Sequence, residues 1–441
     1  MYQDLTKGKI AKSLVLFALP MIAGNLLQQC YNIADSVIVG RVVGSNALAA
    51  VGSSYSLMTF LTSIFLGLSM GCGALFSIYQ GKGDLKTLKK AIYHAMLLVF
   101  GITLILNLVV YLFLNPILDF LQVPSEVWDG MRAYLLIIFA GMIATSLYNF
   151  FSCLLRALGN SVVPLVFLAV SAVTNIGLDL FFVAGCKMGI KGAALATILA
   201  QYLSGFGILF YVIKECKEFL PSKQERSLDS RILKEIFQMS GLTCMQQSVM
   251  NFGILLVQGL VNSFGTVIMA AFAAAVKIDT FAYLPVQDFG NAYSTFVAQN
   301  YGAGNTERIK KGTKWAFFFS IVFSLILSAG VFWGAGGLMR IFVKSSETEV
   351  ITAGVTYLRI EGAFYCGIGC LFLLYGYYRA IKKAEMSLIL TVISLGLRVI
   401  LAYVLSAKIG VIGIWMAIPI GWAVADATGI GYLWYLEKKK G

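Results

Sequence analysis

The chain has 441 residues; 59% are hydrophobic and only 12% charged, with a formal net charge of +13. A soluble protein carries about 25% charged residues, so the composition argues against a soluble enzyme and for a protein that lives in a bilayer. The basic excess falls in the termini and in alternate connections (Lys7, Lys9, Lys12; Lys82, Lys86, Lys89, Lys90; Lys214 to Lys234; Arg308 to Lys314; Lys438 to Lys440), which reads as topology rather than nucleic-acid binding.

Twelve apolar runs approach the roughly 20 residues that cross a bilayer. They cover 14–40, 47–79, 90–114, 131–154, 162–184, 190–213, 236–262, 267–299, 313–336, 354–378, 385–406 and 411–436. Several are too long for one straight span, which predicts tilt, kinks and projecting ends. The first run is too long and too polar for a cleaved signal peptide, so it is expected to be retained. The fold expected is all-α and polytopic, with both termini cytoplasmic and the chain in the plasma membrane.

Span 1 carries Pro20, a candidate hinge, and a stripe of Asn25, Gln28, Gln29, Asn32 and Asp35 at three- and four-residue spacing, which places them on one helix face. A carboxylate at bilayer depth costs at least about 2.5 kcal/mol and is a functional hypothesis by default. Met58, Met70 and Met142 in spans 2 and 4 are candidates for an adaptable cavity. Asn175 and Asp179 share a face of span 5, and Thr197 and Gln201 share a face of span 6. Two carboxylates with an amide and a hydroxyl suit a hard cation such as Na⁺; the same two, close and desolvated, suit a proton. Residues 214–235 form a hydrophilic linker.

Span 7 offers an amide-rich face that includes Gln246, Gln247 and Asn251. Span 8 carries Lys277, Asp279, a second candidate hinge at Pro285, and then Gln287 and Asp288. Glu361 and Arg398 suggest an ion pair, and Asp426 stands alone in span 12. Gln28, Asn32, Gln247, Asn251, Gln287 and Asp288 are candidate substrate contacts. The eight cysteines and the single His94 form no metal or disulfide framework. No P-loop occurs, so no ATP hydrolysis and no organic cofactor are expected.

The chain repeats itself. Residues 79–90 read YQGKGDLKTLKK and residues 300–311 read NYGAGNTERIKK. In that register Gly44 falls on Gly265 and Asp35 on Leu256; two residues further, Tyr134 falls on Tyr357, Arg156 on Arg379 and Asp179 on Ala402. Six spans per copy make the repeat parallel, with a pseudo-two-fold axis along the membrane normal. The division expected is 1–213 and 236–441, joined by 214–235, with the acid pair confined to the first half.

Three stretches resemble the multidrug and toxic compound extrusion (MATE) family. They are Leu19–Gln28 with Tyr31–Asp35 and Gly44–Gly52, then Gly81–Asp84 with its repeat Gln299–Gly304, then Arg156–Asn160 with Asn175–Asp179. The resemblance covers nearly the whole chain and is nearest the prokaryotic DinF-like branch. It implies two six-helix lobes and exchange of H⁺ or Na⁺ inward for a drug or metabolite outward; the buried acids point to an amphipathic, cationic substrate, and nothing in the sequence requires more than a monomer. The resemblance carries a cation-coupling site onto Asp35, Asn175, Asp179 and Thr197. The alternatives are a lipid-linked precursor flippase of the same superfamily and a non-transporting scaffold.

Overall fold

The computed structural model describes residues 3–120 and 125–439; residues 121–124, between the third and fourth predicted spans, lie outside them. The described residues are helical almost throughout. The helices are α1 Ile10–Val42, α2 Ser45–Lys82, α3 Leu85–Phe120, α4 Ser125–Ala140, α5 Met142–Ala157, α6 Val162–Asp179, α7 Gly189–Glu215, α8 Ser230–Asn262, α9 Thr266–Gly302, α10 Thr306–Phe342, α11 Thr348–Gly362, α12 Tyr365–Ala380, α13 Ala384–Ile409 and α14 Val411–Lys438. The physical reason is the solvent: in hydrocarbon every backbone N–H and C=O needs a partner within its own segment. Apolar side chains accordingly point outward as well as inward. Leu104, Ile105, Leu108 and Leu112 of α3 are exposed along one face, as a lipid-facing helix requires.

Among the described residues ten helices are long and apolar enough to span alone, and counting each of two bent pairs as one span makes twelve. Residues 131–154 and 354–378, expected as single spans, are each broken. Trp128–Ala140 meets Met142–Ala157 at 45°, and Thr348–Gly362 meets Tyr365–Ala380 at 50°. The first break falls at Gly141, where a Cβ would come within 2.5 Å of Gln201 Oε1 on α7. Both breaks occupy the fourth span of their copy, so the repeat extends to the bends.

The repeated turn motif has a structural task. Gly83 (φ 71°) and Gly304 (φ 73°) adopt the left-handed conformation after α2 and α9, which glycine accepts without steric cost. Asp84 Oδ1 then accepts the Thr87 amide at 3.0 Å at the start of α3.

The described chain forms two compact units. The first contains Leu19–Cys244 and the residues before Leu5; the second contains Leu5–Ala18 and Met245–Gly441. These limits differ from the expected 213 and 236, for identifiable reasons. In the first unit, α8 begins against α2: a Cβ on Gly67 or Gly71 would lie 2.5 Å from the Cα of Cys244 or Ser240, and the Tyr79 hydroxyl donates to Glu235. In the second unit the segment before α1 is gripped by α9 and α10. Arg308 donates to the carbonyls of Leu5, Lys7 and Gly8 at 3.1, 2.6 and 2.8 Å. Asn300 donates to the Leu5 carbonyl at 3.1 Å, and Gln299 accepts the Leu5 amide at 3.2 Å. Membership changes beside Pro20, through which α1 runs as one continuous helix. Helix α9 is likewise continuous through Pro285.

Candidate cation site

In the first unit α1 packs on α6 where Gly24 meets Leu165 and Leu168. Three turns further on, about 16 Å along each axis, α1 presents Asp35 and α6 presents Asp179. Their carboxyl groups are within hydrogen-bonding reach. Asp179 has no exposed surface, and it is the last α-helical residue before a π-helical turn at Leu180–Gly185. Such insertions re-aim side chains and recur at functional sites.

Asp35 Oδ1 and both Asp179 oxygens are buried with no donor to satisfy them. The two carboxyl groups lie within reach of one another, and two carboxylates cannot donate to one another. A proton or a cation between them resolves both the missing bonds and the repulsion. Asn175, one turn before Asp179, is buried; its Nδ2 donates to Thr197 Oγ1 at 3.4 Å, and its Oδ1 is a further acceptor without a donor. Thr197 spends its own proton on the Ala193 carbonyl at 3.0 Å. The four residues named from the sequence are therefore assembled by α1, α6 and α7. Among the described residues no group of three or more His, Cys, Asp or Glu gathers.

Sequence reasoning missed the tyrosines. Tyr134 of α4 is buried and interacts electrostatically with both acids, and Tyr31 interacts with Asp35 while bonding Gln28. The repeat held the signal, because Tyr134 aligns with Tyr357.

Tyr357 marks a second acid pair in the second unit, so the expectation that paired acids are confined to the first half does not hold. Asp279 of α9 and Glu361 of α11 are buried within hydrogen-bonding reach of one another. Tyr365 donates to Asp279 Oδ1, and Tyr357 bonds both acids. Asp279 Oδ2, Glu361 Oε2 and Arg398 Nε have no partner, although Arg398 attracts Glu361 as the sequence suggested. The register comparison failed here because these acids sit on α9 and α11, whereas Asp35 and Asp179 have their counterparts on α8 and α13. Asp426 lies beside Cys370 and Tyr375.

The candidate substrate contacts separate between the units. Gln28 and Asn32 belong to the first; Gln247, Asn251, Gln287 and Asp288 belong to the second. Asn251 donates to the Gln247 carbonyl of its own helix at 3.1 Å, and Asp288 is buried. Within the first unit a cavity of about 30 Å³ is lined by Met58, Thr62, Phe65, Met142, Thr145 and Gln201. Two of the three methionines named from the sequence are in it. It has room for one or two waters, beside a Gln201 Oε1 that lacks a donor.

Comparison with known proteins agrees with this architecture. The family model described as MatE matches twice, over residues 20–181 and 243–404. The chain is 31% identical to the probable multidrug resistance protein YpnP of Bacillus subtilis over 434 residues, spanning 98% of this chain and 96% of that protein. It is 25% identical to the probable multidrug resistance protein NorM of Thermotoga maritima, over 92% of this chain and 89% of the relative. A solved outward-facing multidrug resistance transporter of the MOP superfamily superposes with a TM-score of 0.92 at 22% identity, covering 98% and 97% of the two chains.

Proposed function

The chain belongs to the MATE family of multidrug efflux transporters, and from that premise we propose that it is a cation-coupled antiporter whose coupling site is the Asp35–Asp179 pair. The observation that carries this reading is that acceptor oxygens of Asp35, Asp179 and Asn175 are buried without a donor, with the two carboxyl groups within reach of one another. Such a set is stable when a cation neutralises it and self-repelling when it is empty. Cation binding therefore favours the arrangement in which α1 and α6 hold the acids together, and cation loss favours one in which they part. Pro20, beside which α1 passes from one unit to the other, is the place where α1 bends. A substrate that prefers the parted arrangement is then exchanged for the cation, because coupling requires only that the two ligands prefer different states.

The cation is H⁺ or Na⁺, since both are accommodated by two carboxylates, an amide oxygen and a hydroxyl. The substrate is a small amphipathic organic cation, given the buried acids of both units. The transporter works by alternating access as a monomer in the plasma membrane, with both termini cytoplasmic and without an organic cofactor. A lipid-linked precursor flippase would need bases to hold a pyrophosphate, and acids outnumber bases at both clusters. The Asp279–Glu361 pair favours one addition: the second unit also holds a proton, shared between those acids and kept in place by Tyr357 and Tyr365.

The test is efflux of a fluorescent organic cation from proteoliposomes under separately imposed H⁺ and Na⁺ gradients. The gradient that drives uphill transport identifies the cation. If neither gradient drives a panel of organic cations, while a lipid-linked precursor is translocated, the antiporter reading is overturned.

A further inference from the structure

The single histidine, His94, lies in α3 with no exposed surface. It holds the segment that leads into α8, within the first unit. Its Nδ1 lies 2.7 Å from the Lys90 carbonyl oxygen. A carbonyl only accepts, so Nδ1 carries the imidazole proton. Its Nε2 accepts the backbone N–H of Asp229 at 2.9 Å. Asp229 in turn organises the start of α8. Its Oδ1 accepts the Arg231 amide at 3.1 Å, its carbonyl accepts the Leu233 amide at 2.9 Å, and its carboxylate pairs with the Lys90 ammonium at 3.6 Å.

We propose that His94 is a proton-operated latch on the connection between the two halves: the neutral imidazole clamps the Asp229 amide, and protonation of the imidazole releases it. Both ring nitrogens are committed in the one neutral tautomer. A proton added at Nε2 would aim a donor at the Asp229 N–H, which is itself a donor, and would set a second positive charge beside Lys90.

The surrounding charges decide what happens on release. From α3 itself come Lys90 and Tyr93, whose ring stands edge-on to the imidazole at 5.7 Å. From the segment before α8 comes the Asp229 carboxylate. From α2 comes Tyr79, which interacts with Asp229 and donates to Glu235. The short turn Lys217–Phe219 packs on α3 and brings Lys217 and Glu218. Helix α5 brings Arg156, which lies beside Tyr148, and Arg132 of α4 bonds Asn115 near the other end of α3. The Asp229 carboxylate is the acid that bonds directly into this cluster. An imidazolium can take it from Lys90 once the amide has turned away, so the released state has a charge-assisted bond of its own. Close packing of Gly71 on Ser240 holds the body of α8 to α2, which confines the movement to the residues around Asp229.

The experiment uses the full-length protein and does not depend on what it transports. Hydrogen exchange is followed at pH 7.5 and pH 5.5, with rates corrected for intrinsic pH dependence. The expected result is at least tenfold loss of protection at amides 229–233 on acidification, with protection at 236–244 unchanged. His94→Gln keeps an acceptor for the Asp229 amide but cannot titrate, so its protection should not respond to pH. Because the chain has one histidine, ¹⁵N-histidine labelling reads the tautomer in the unmutated protein even if the variant does not fold. A proton on Nδ1 at pH 7.5 is expected, and an imidazolium wherever the protection is lost. Equal protection at both pH values, the same acid response in His94→Gln, or an Nε2–H tautomer at pH 7.5 would each overturn the latch.

Discussion

Asp35→Asn replaces one member of the facing acid pair with a neutral side chain of the same shape. Two unit charges about 4 Å apart interact by about 4 kcal/mol at an effective dielectric of about 20, close to three powers of ten in an equilibrium constant. That repulsion is the force by which an empty site distinguishes itself from an occupied one. The amide removes it, so the variant behaves as though permanently neutralised. The consequence is measurable as an accumulation ratio. A tenfold gradient of one coupled cation supplies about 1.4 kcal/mol, enough for wild-type vesicles to hold up to a tenfold substrate gradient. Asp35→Asn and Asp179→Asn should bring substrate only to equal concentrations on the two sides, however steep the imposed gradient. Tenfold accumulation by either variant would refute the argument and move attention to Asp279 and Glu361.

Three further outcomes follow from particular contacts. Gly71→Ala places a methyl 2.5 Å from the Ser240 Cα; overpacking against backbone should cost about 1–3 kcal/mol, and a thermal midpoint equal to wild type would show that α8 is not seated on α2 as described. Asp279→Ala strands the Tyr365 hydroxyl, a loss of about 1–3 kcal/mol, whereas Asp279→Asn should retain most of the stability because it still accepts; the order of the two midpoints is the check. Asp84→Ala should cost about 1 kcal/mol through the lost cap. The hydroxyl and amide of Thr87 hold the Asp84 carboxyl below its ordinary value. Its contribution is therefore complete above about pH 3.9 and disappears only as pH falls through the lowered value, so the wild-type-to-variant difference should be constant between pH 5 and 8.

The sequence exposed the acids of the first site because α1 and α6 are regular helices. A polar residue recurring every three or four positions must share a face, and an acid in an apolar run has to be compensated. What the sequence could not give was which faces meet. The Asp279–Glu361 pair joins two helices whose acids have no counterparts in the repeat register, and no spacing rule connects residue 279 with residue 361. Tyr134 and Tyr357 were visible as a matched pair, but their meaning came only when each was found beside two carboxylates. The two bent spans read as continuous hydropathy, because hydropathy reports length in hydrocarbon and is blind to direction. His94 illustrates the same limit: a lone histidine near a loop carried no signal until its Nε2 was found on the Asp229 amide.

By itself, the sequence determined the all-helical membrane architecture and the two-fold repeat, and it picked out the candidate residues of the first acid site. Each follows from a local rule, namely the length that crosses hydrocarbon, the periodicity of a helix and the expense of a buried charge. The tertiary structure alone decided the bends at Gly141 and near Phe364, the extent of each unit along α1 and α8, the second acid pair and the clasp on the linker. Those depend on contacts between segments far apart in the chain, where a small residue or an unsatisfied acceptor acquires its role only from the neighbour that packing supplies.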